Sequence, residues 1–306
     1  MKRLYINFAS TVMICILACG DVPVNVDQDT YNPKIVVDGY LFAGKRPAGI
    51  RISRNYPLNR EINMSDFILT NAAVSVTDLQ TGEVYPLTFN PLAMSFQYDG
   101  TDCIVQSGQS YRLHVQARVD GQQLSASSVT HVPQTGFEIQ ESASNLEPRQ
   151  YDSAVANSDR FQIAFNRSPS TGSYIASIVA LDASVENFIE KNVLGLDKDE
   201  LDDLSDTDEQ QFFNYTKNQW QWHQTRVGNG KELSVLDIEW FSTWFYGKYQ
   251  VILYAADQNF TDYLLTADNI QEIDGNLLEP RFHFKGDGIG VFGSAIGDTT
   301  EFEILR

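Results

Sequence analysis

The sequence predicts a mainly β protein: an immunoglobulin-like or fibronectin-like β-sandwich followed by a second β-rich domain that carries a helical, acidic insertion. Three observations lead there. Strand-length runs rich in Val, Ile, Thr, Tyr and Phe follow one another from Lys34 onward, separated by turn residues. In residues 111–119, Tyr111, Leu113, Val115, Ala117 and Val119 alternate with Arg112, His114, Gln116 and Arg118, the period of a strand with one buried face. Asp120-Gly121 follows at once, the pair that most readily makes a two-residue hairpin turn.

The elements are justified in order. Residues 34–43, 48–54, 72–78, 84–89, 95–98, 111–119 and 123–132 are each strand-length, and seven such strands in about 100 residues fit one sandwich. No Cys…Trp…Cys pattern accompanies them, so an antibody-type domain is not implied. Val132-Pro133-Gln134-Thr135-Gly136 interrupts the pattern and is the expected boundary, giving domains at 34–133 and 134–306. Strands resume at 160–165 and 173–181 after a polar stretch, 142–159. An insertion is expected around 184–225. Ser184 can cap a helix whose apolar positions are Val185, Phe188, Ile189 and Val193. An acidic tract, 197–209, and an aromatic stretch, 210–222, follow. Beyond it, 233–238 and 248–256 read as strands and 259–267 as a helix with Phe260, Tyr263 and Leu264 on one face. Gly286-Asp287-Gly288-Ile289-Gly290 reads as a turn, and 300–305 as a final strand.

The N-terminus has a separate logic. Lys2 and Arg3 precede an apolar run that ends in Ala18-Cys19-Gly20, the layout of a secretory signal, and the run is too short to span a bilayer. Ile16-Leu17-Ala18-Cys19 resembles the lipobox of bacterial lipoproteins, which implies cleavage after Ala18 and acylation of Cys19. Residues 1–18 are then a signal peptide and 19–33 a lipidated tether containing Pro23 and Pro33. Two or three acyl chains hold a protein stably where one would not. A single acidic residue, Asp21, follows Cys19, and either the periplasmic or the surface face is compatible with it. Loss of residues 1–18 leaves 20 basic against 40 acidic side chains, a formal charge of −20. So acidic a body repels phosphate backbones, which excludes nucleic acid as a partner. With Cys19 acylated, Cys103 has no internal partner and is expected to be a small buried hydrophobe.

Several marks taken in order, the lipobox, Pro33-Lys34-Ile35-Val36-Val37-Asp38-Gly39-Tyr40, Asn71-Ala72-Ala73-Val74-Ser75-Val76-Thr77-Asp78, Gln109-Ser110-Tyr111-Arg112-Leu113-His114-Val115 and Gly290-Val291-Phe292-Gly293-Ser294-Ala295, resemble the uncharacterised Bacteroidota lipoproteins termed domain of unknown function 4249. The resemblance implies an outer-membrane lipoprotein, often associated with a TonB-dependent transporter, and it supplies no catalytic residue. The tract containing Asp197, Asp199, Asp202 and Asp203 could offer oxygen ligands to calcium. Counted from Asp197, however, its sixth residue is Asp202 rather than glycine, and its twelfth is Asp208 rather than glutamate, so it is not an EF-hand loop. The histidines make no zinc motif, no GxSxG elbow is present, and no sequence feature points to a cofactor. Trp220 and Trp222, set in the polar insertion, are the candidate ligand-binding residues, because indole rings stack on flat apolar faces. Trp240 and Trp244 lead into a strand and are expected in the core. The expected function is non-enzymatic, an anchored accessory or ligand-binding partner of a transporter. The alternatives are an adhesive envelope protein binding glycan or matrix, and a hydrolase whose carboxylates assemble only in space.

Overall fold

Alternation becomes burial directly. In the strand Ser110–Val119 every second side chain, from Tyr111 to Val119, is buried, while Arg112 is exposed and His114 only partly covered. The computed structural model describes residues 31–57, 67–151, 159–189, 206–267 and 280–306. In chain order its strands are β1 (Ile35–Phe42), β2 (Arg51–Arg54), β3 (Ala73–Asp78), β4 (Val84–Asn90), β5 (Ser95–Gln97), β6 (Ser110–Val119), β7 (Gln122–His131), β8 (Glu138–Ile139), β9 (Arg149–Gln150), β10 (Gln162–Asn166), β11 (Ser173–Ala180), β12 (Asn218–Gln224), β13 (Leu233–Asp237), β14 (Gly247–Ala256), β15 (Phe284–Gly286) and β16 (Gly288–Leu305). Among the described residues two α-helices accompany them, α1 (Asp206–Lys217) and α2 (Gln258–Ala267). The protein is mainly β with antiparallel pairings predominating, as the sequence predicts.

Three sheets form around two main cores. One sheet runs β12-β11-β14-β16-β1-β2, with β9 also on β16; a second runs β15-β7-β6-β3-β4-β5; a short third runs β13-β10-β8. The first core lies between β1, β2 and the start of β16 on one side and β7, β6, β3 and β4 on the other, with Val37, Ile52, Leu113, Val115 and Phe292 among its buried side chains. The second lies between β11, β14 and the end of β16 and the short sheet, with Phe161, Phe165, Tyr174, Tyr249 and Phe302 at its centre. Pro33–Asn55 and Ile62–Arg306 make one compact unit.

The final strand joins the two cores. The sequence predicts a turn at 286–290 and a short strand at 300–305, whereas β16 is continuous over 18 residues. Its first part lies parallel to β1, from Ile35↔Gly288 to Phe42↔Ala295, and its second antiparallel to β14, from Ala256↔Ala295 to Gly247↔Ile304. β15, just before it, pairs with β7 in the opposite sheet. The chain therefore returns from beyond the predicted boundary at 133 to complete the first core. Glycine makes the crossing sterically possible: Gly286 has φ +82°, and a Cβ there would lie 2.3 Å from the Ser125 carbonyl oxygen.

The same local device appears in both cores. The Tyr111 hydroxyl accepts the Gln106 N–H (2.9 Å), and that of Tyr174 accepts the Ser168 N–H (2.7 Å). That of Tyr249 accepts the N–H groups of Trp244 (3.1 Å) and Phe245 (2.8 Å) and donates to the Phe245 carbonyl (2.8 Å). Each buried phenol thus ties down the loop leading into its own strand, as in a tyrosine corner. Tyr249→Phe leaves two buried N–H groups unpaired, and we expect a loss of about 2 kcal/mol in denaturant unfolding. A loss below about 0.5 kcal/mol would show that the loop holds itself.

Two local expectations need correction. Ser184 does cap, its Oγ accepting the Asn187 N–H at 3.3 Å, but the turn it starts is a 3-10 helix over Val185–Asn187. Phe188 then bridges to Phe245 in extended backbone and, with Ile189, enters the second core, so these two serve strand-like packing instead of a helix face, while Val193 lies outside the described residues. The aromatic stretch 210–222 is likewise not all insertion: its end is β12, a full strand of the largest sheet. Asn218-Gln219-Trp220-Gln221-Trp222-His223-Gln224 alternates with strand period, and that period outweighs its polar composition.

Candidate functional site

The two tryptophans singled out in the sequence stand together on this strand. Among the described residues β12 pairs only with β11, in continuous antiparallel register from Ser173↔Gln224 to Val179↔Asn218, and forms the edge of its sheet. Gln221 and His223 point toward the second core. Gln221 bonds the carbonyl of Asp237 and the N–H of Glu239, and the His223 ring packs edge-on to Phe165 at 5.8 Å. Burial pushes the His223 imidazole below its ordinary pKa, against the nearby Asp237 charge, which favours the neutral ring.

Trp220 and Trp222 occupy the opposite face. Trp222 packs on a cluster built from Ile175, Ala256, Phe260 and Ala295, which Tyr40, Phe42, Tyr254 and Leu264 adjoin. Tyr40 meets Phe260 of α2 at 4.3 Å, and Phe42 meets Tyr254 at 5.3 Å. Trp220 stands beyond this cluster, 58% exposed. The Trp222 Nε1–H is buried and has no hydrogen-bond partner among the described residues. Burial raises the Tyr40 and Tyr254 phenols above the ordinary value, so both hydroxyls keep their protons at neutral pH and can donate. The result is an aromatic sheet face, half covered by α2, with an open indole at its rim. It is suited to stacking and hydrogen-bond donation.

A second polar feature was not anticipated from the sequence. Asp257 lies between β14 and α2 and caps the helix, its Oδ1 accepting the N–H groups of Phe260 (3.0 Å) and Ser294 (3.0 Å). Its Oδ2 accepts the Thr130 hydroxyl at 2.6 Å. Asn259 donates to the carbonyls of Val129 (2.7 Å) and Phe292 (2.8 Å). The first turn of α2 is thereby clamped to β7 and β16, where the two cores meet. Beside it opens a cleft of about 430 Å³ lined by Ser110, His131, Gln134, Ser170, Asp257 and Gln258, among others. Ser110 Oγ lies 2.6 Å from His131 Nδ1, but these residues are simply opposite one another across β6 and β7. The carboxylate of Asp257 meets the backbone of His131 rather than its ring, so the pair lacks the orienting acid of a triad. The sequence signal for this clamp is Asp257 two residues ahead of the helical pattern at 259–267.

The remaining candidates fall as follows. Cys103 is a free, buried thiol, and burial pushes its pKa up to about 11, far from a thiolate at neutral pH. Trp240 and Trp244 are buried in the second core, as expected. Cys19 and the acidic residues Asp197, Asp199, Asp202 and Asp203 lie outside the described residues. Among the described residues no helix is long and apolar enough to cross a membrane.

Fold and face together define a mainly β protein with two cores joined by one shared sheet and an exposed aromatic edge. The chain belongs to the family described as Domain of unknown function (DUF4249), whose model matches residues 21–294. No curated protein matches it. Among solved structures it is similar to the native conformation of E. coli alpha-2-macroglobulin, at 9% identity and a TM-score of 0.22. That match covers 90% of this chain but only 14% of the other. It is also similar to the FN1–FN3 domains of chicken CNTN1, at 10% identity and a TM-score of 0.15, covering 86% of this chain and 66% of that one. Likenesses at this level carry no argument about function.

Proposed function

We propose that the protein is a lipid-anchored outer-membrane accessory of a TonB-dependent transporter, and that it engages its partner or ligand through the aromatic rim at Trp220 and Trp222. The observation that carries the binding role is the pair of indoles on an edge strand, one ring open to solvent and the other with its N–H buried and unpartnered. Exposed Trp is costly to leave in water and is characteristic of binding surfaces. The anchor is supported by the lipobox ending at Cys19, and the transporter by what the resemblance of the ordered sequence marks implies.

The test is a mild-detergent pull-down of the tagged full-length protein from its own membranes, alongside Cys19→Ser and Trp220→Ala. The proposal expects a TonB-dependent barrel in near-equal amount with the wild type, loss of membrane retention in Cys19→Ser and loss of the barrel in Trp220→Ala. Recovery of the wild type alone would sink the transporter reading. An adhesive role is favoured by the same exposed indole, since a sugar ring stacks on it as readily. Glycan-array binding that disappears in Trp220→Ala, without a barrel in the pull-down, would put that role in its place.

A further inference from the structure

We propose that β12 is a docking edge for an extended segment of a partner protein, which adds to the sheet as a further strand and carries acidic or neutral rather than basic ends. The inference rests on the binding role proposed for Trp220 and Trp222, and adds the mode of engagement and the chemistry of the partner.

Backbone register shows what the edge offers. The Thr225 N–H bonds the Gly172 carbonyl at 2.8 Å, which makes Gly172 and Thr225 a hydrogen-bonded pair. In an antiparallel ladder such pairs alternate with pairs whose N–H and C=O groups point away. Following the register, Tyr174↔His223, Ala176↔Gln221 and Ile178↔Gln219 bond inward, and Asn218, Trp220, Trp222 and Gln224 direct theirs to the open side. The edge thus presents donors and acceptors at a two-residue repeat, which an extended peptide matches.

Among the described residues nothing protects this edge. Sheet edges are ordinarily blunted by charge, proline, a bulge or a covering segment. β12 contains no charged residue and no proline, and its register with β11 is unbroken. At the other end of the same sheet, by contrast, Ser53 of β2 is bridged to Ile68, and Ile50, next to β2, exchanges hydrogen bonds with Phe96 of β5.

Charge decides the occupant. In a chain of net charge −18, residues 217–226 hold no acidic side chain and are bracketed by Lys217 and Arg226. Both are exposed, and neither makes an ion pair among the described residues. Antiparallel pairing of β12 with a second copy would set the Lys217 end against the Arg226 end, and facing like charges destabilise a strand pair. A foreign strand with acidic ends meets opposite charge at both.

The experiment uses the full-length protein and two ten-residue peptides of alternating threonine and valine, one with glutamate and one with lysine at both ends. Hydrogen exchange by mass spectrometry is followed across residues 218–224. The glutamate-ended peptide is expected to slow exchange there and to bind about fivefold more tightly than the lysine-ended one. Gln224→Pro, which removes an outward N–H while leaving the bonds to β11, is expected to weaken binding about tenfold at unchanged circular dichroism. Should that variant misfold, the double variant Lys217→Glu with Arg226→Glu serves instead, with the peptide preference reversed. Absence of protection with either peptide, an unreversed preference, or a concentration-dependent dimer lost in Trp220→Ala would each overturn the proposal. A barrel recovered in the pull-down together with an inert edge overturns strand addition alone. Strand addition without a barrel overturns the transporter reading alone.

Discussion

Gly290→Ala is expected to unfold the protein or to cost it more than about 3 kcal/mol, the largest effect of any single methyl group considered for this chain. Gly290 lies in β16 directly opposite Val37 of β1, with φ +99°. An added Cβ would fall 2.1 Å from the Val37 carbonyl oxygen and 3.1 Å from its carbon. Neither strand can yield, because Val37 is fully buried and β1 is held on its other side by β2 through Val37↔Ile52. Gly44→Ala is the control. It shares a positive φ of 77° but has nothing within 4 Å of the new methyl, so only the backbone cost of about 1–2 kcal/mol should appear. Urea unfolding of both variants separates the clash from the conformational cost; equal losses would show that β16 is not pinned by its approach to β1.

Asp257→Ala is expected to cost about 3 kcal/mol or more. It removes a helix cap, worth about 1 kcal/mol, and strands the buried N–H groups of Phe260 and Ser294, while the Thr130 hydroxyl loses one acceptor and keeps Ser294 Oγ. Because these partners lie on α2, β16 and β7, the loss should loosen both cores in one transition. Asp257→Asn keeps one acceptor oxygen and is expected to lose less. It also isolates a pH effect. Burial raises the Asp257 carboxyl above its ordinary value of 3.8, although its hydrogen bonds pull the other way. The folded chain then holds the proton more tightly than the unfolded one, so this group's contribution is complete below pH 3.8 and declines as pH rises through the raised native value. Subtracting the pH profile of Asp257→Asn from that of the wild type should leave that falling slope. A difference profile that rises with pH over the same range would mean that the hydrogen bonds outweigh burial.

Reading the sequence went furthest where periodicity and burial coincide. β1, β3, β4, β6, β7, β11 and β14 fall within a residue or two of their expected places, because each alternates apolar with polar or runs apolar between turn residues. The Asp120-Gly121 hairpin follows for the same reason, with φ of 48° and 82° at the two turn residues. β12 is harder to read because Gln221 and His223, not aliphatics, face the core there, with Gln221 held by bonds to Asp237 and Glu239 that no local pattern announces. Trp220 and Trp222 were identifiable as candidates by type, whereas their position on an open sheet edge was not.

The sequence by itself determined the β class, most strand positions, the hairpin turns, the core roles of Trp240 and Trp244, and the family. Those depend on side-chain period, turn chemistry and ordered motifs, all of which are local. Only the tertiary structure decided that residues 288–305 form one strand serving both cores, that Asp257 clamps the two where they meet, and that β12 is an edge strand among the described residues, with Trp220 on it. Each of these joins residues distant in the chain. A glycine crossing, a buried carboxylate and a free edge take their meaning from the backbone brought alongside them.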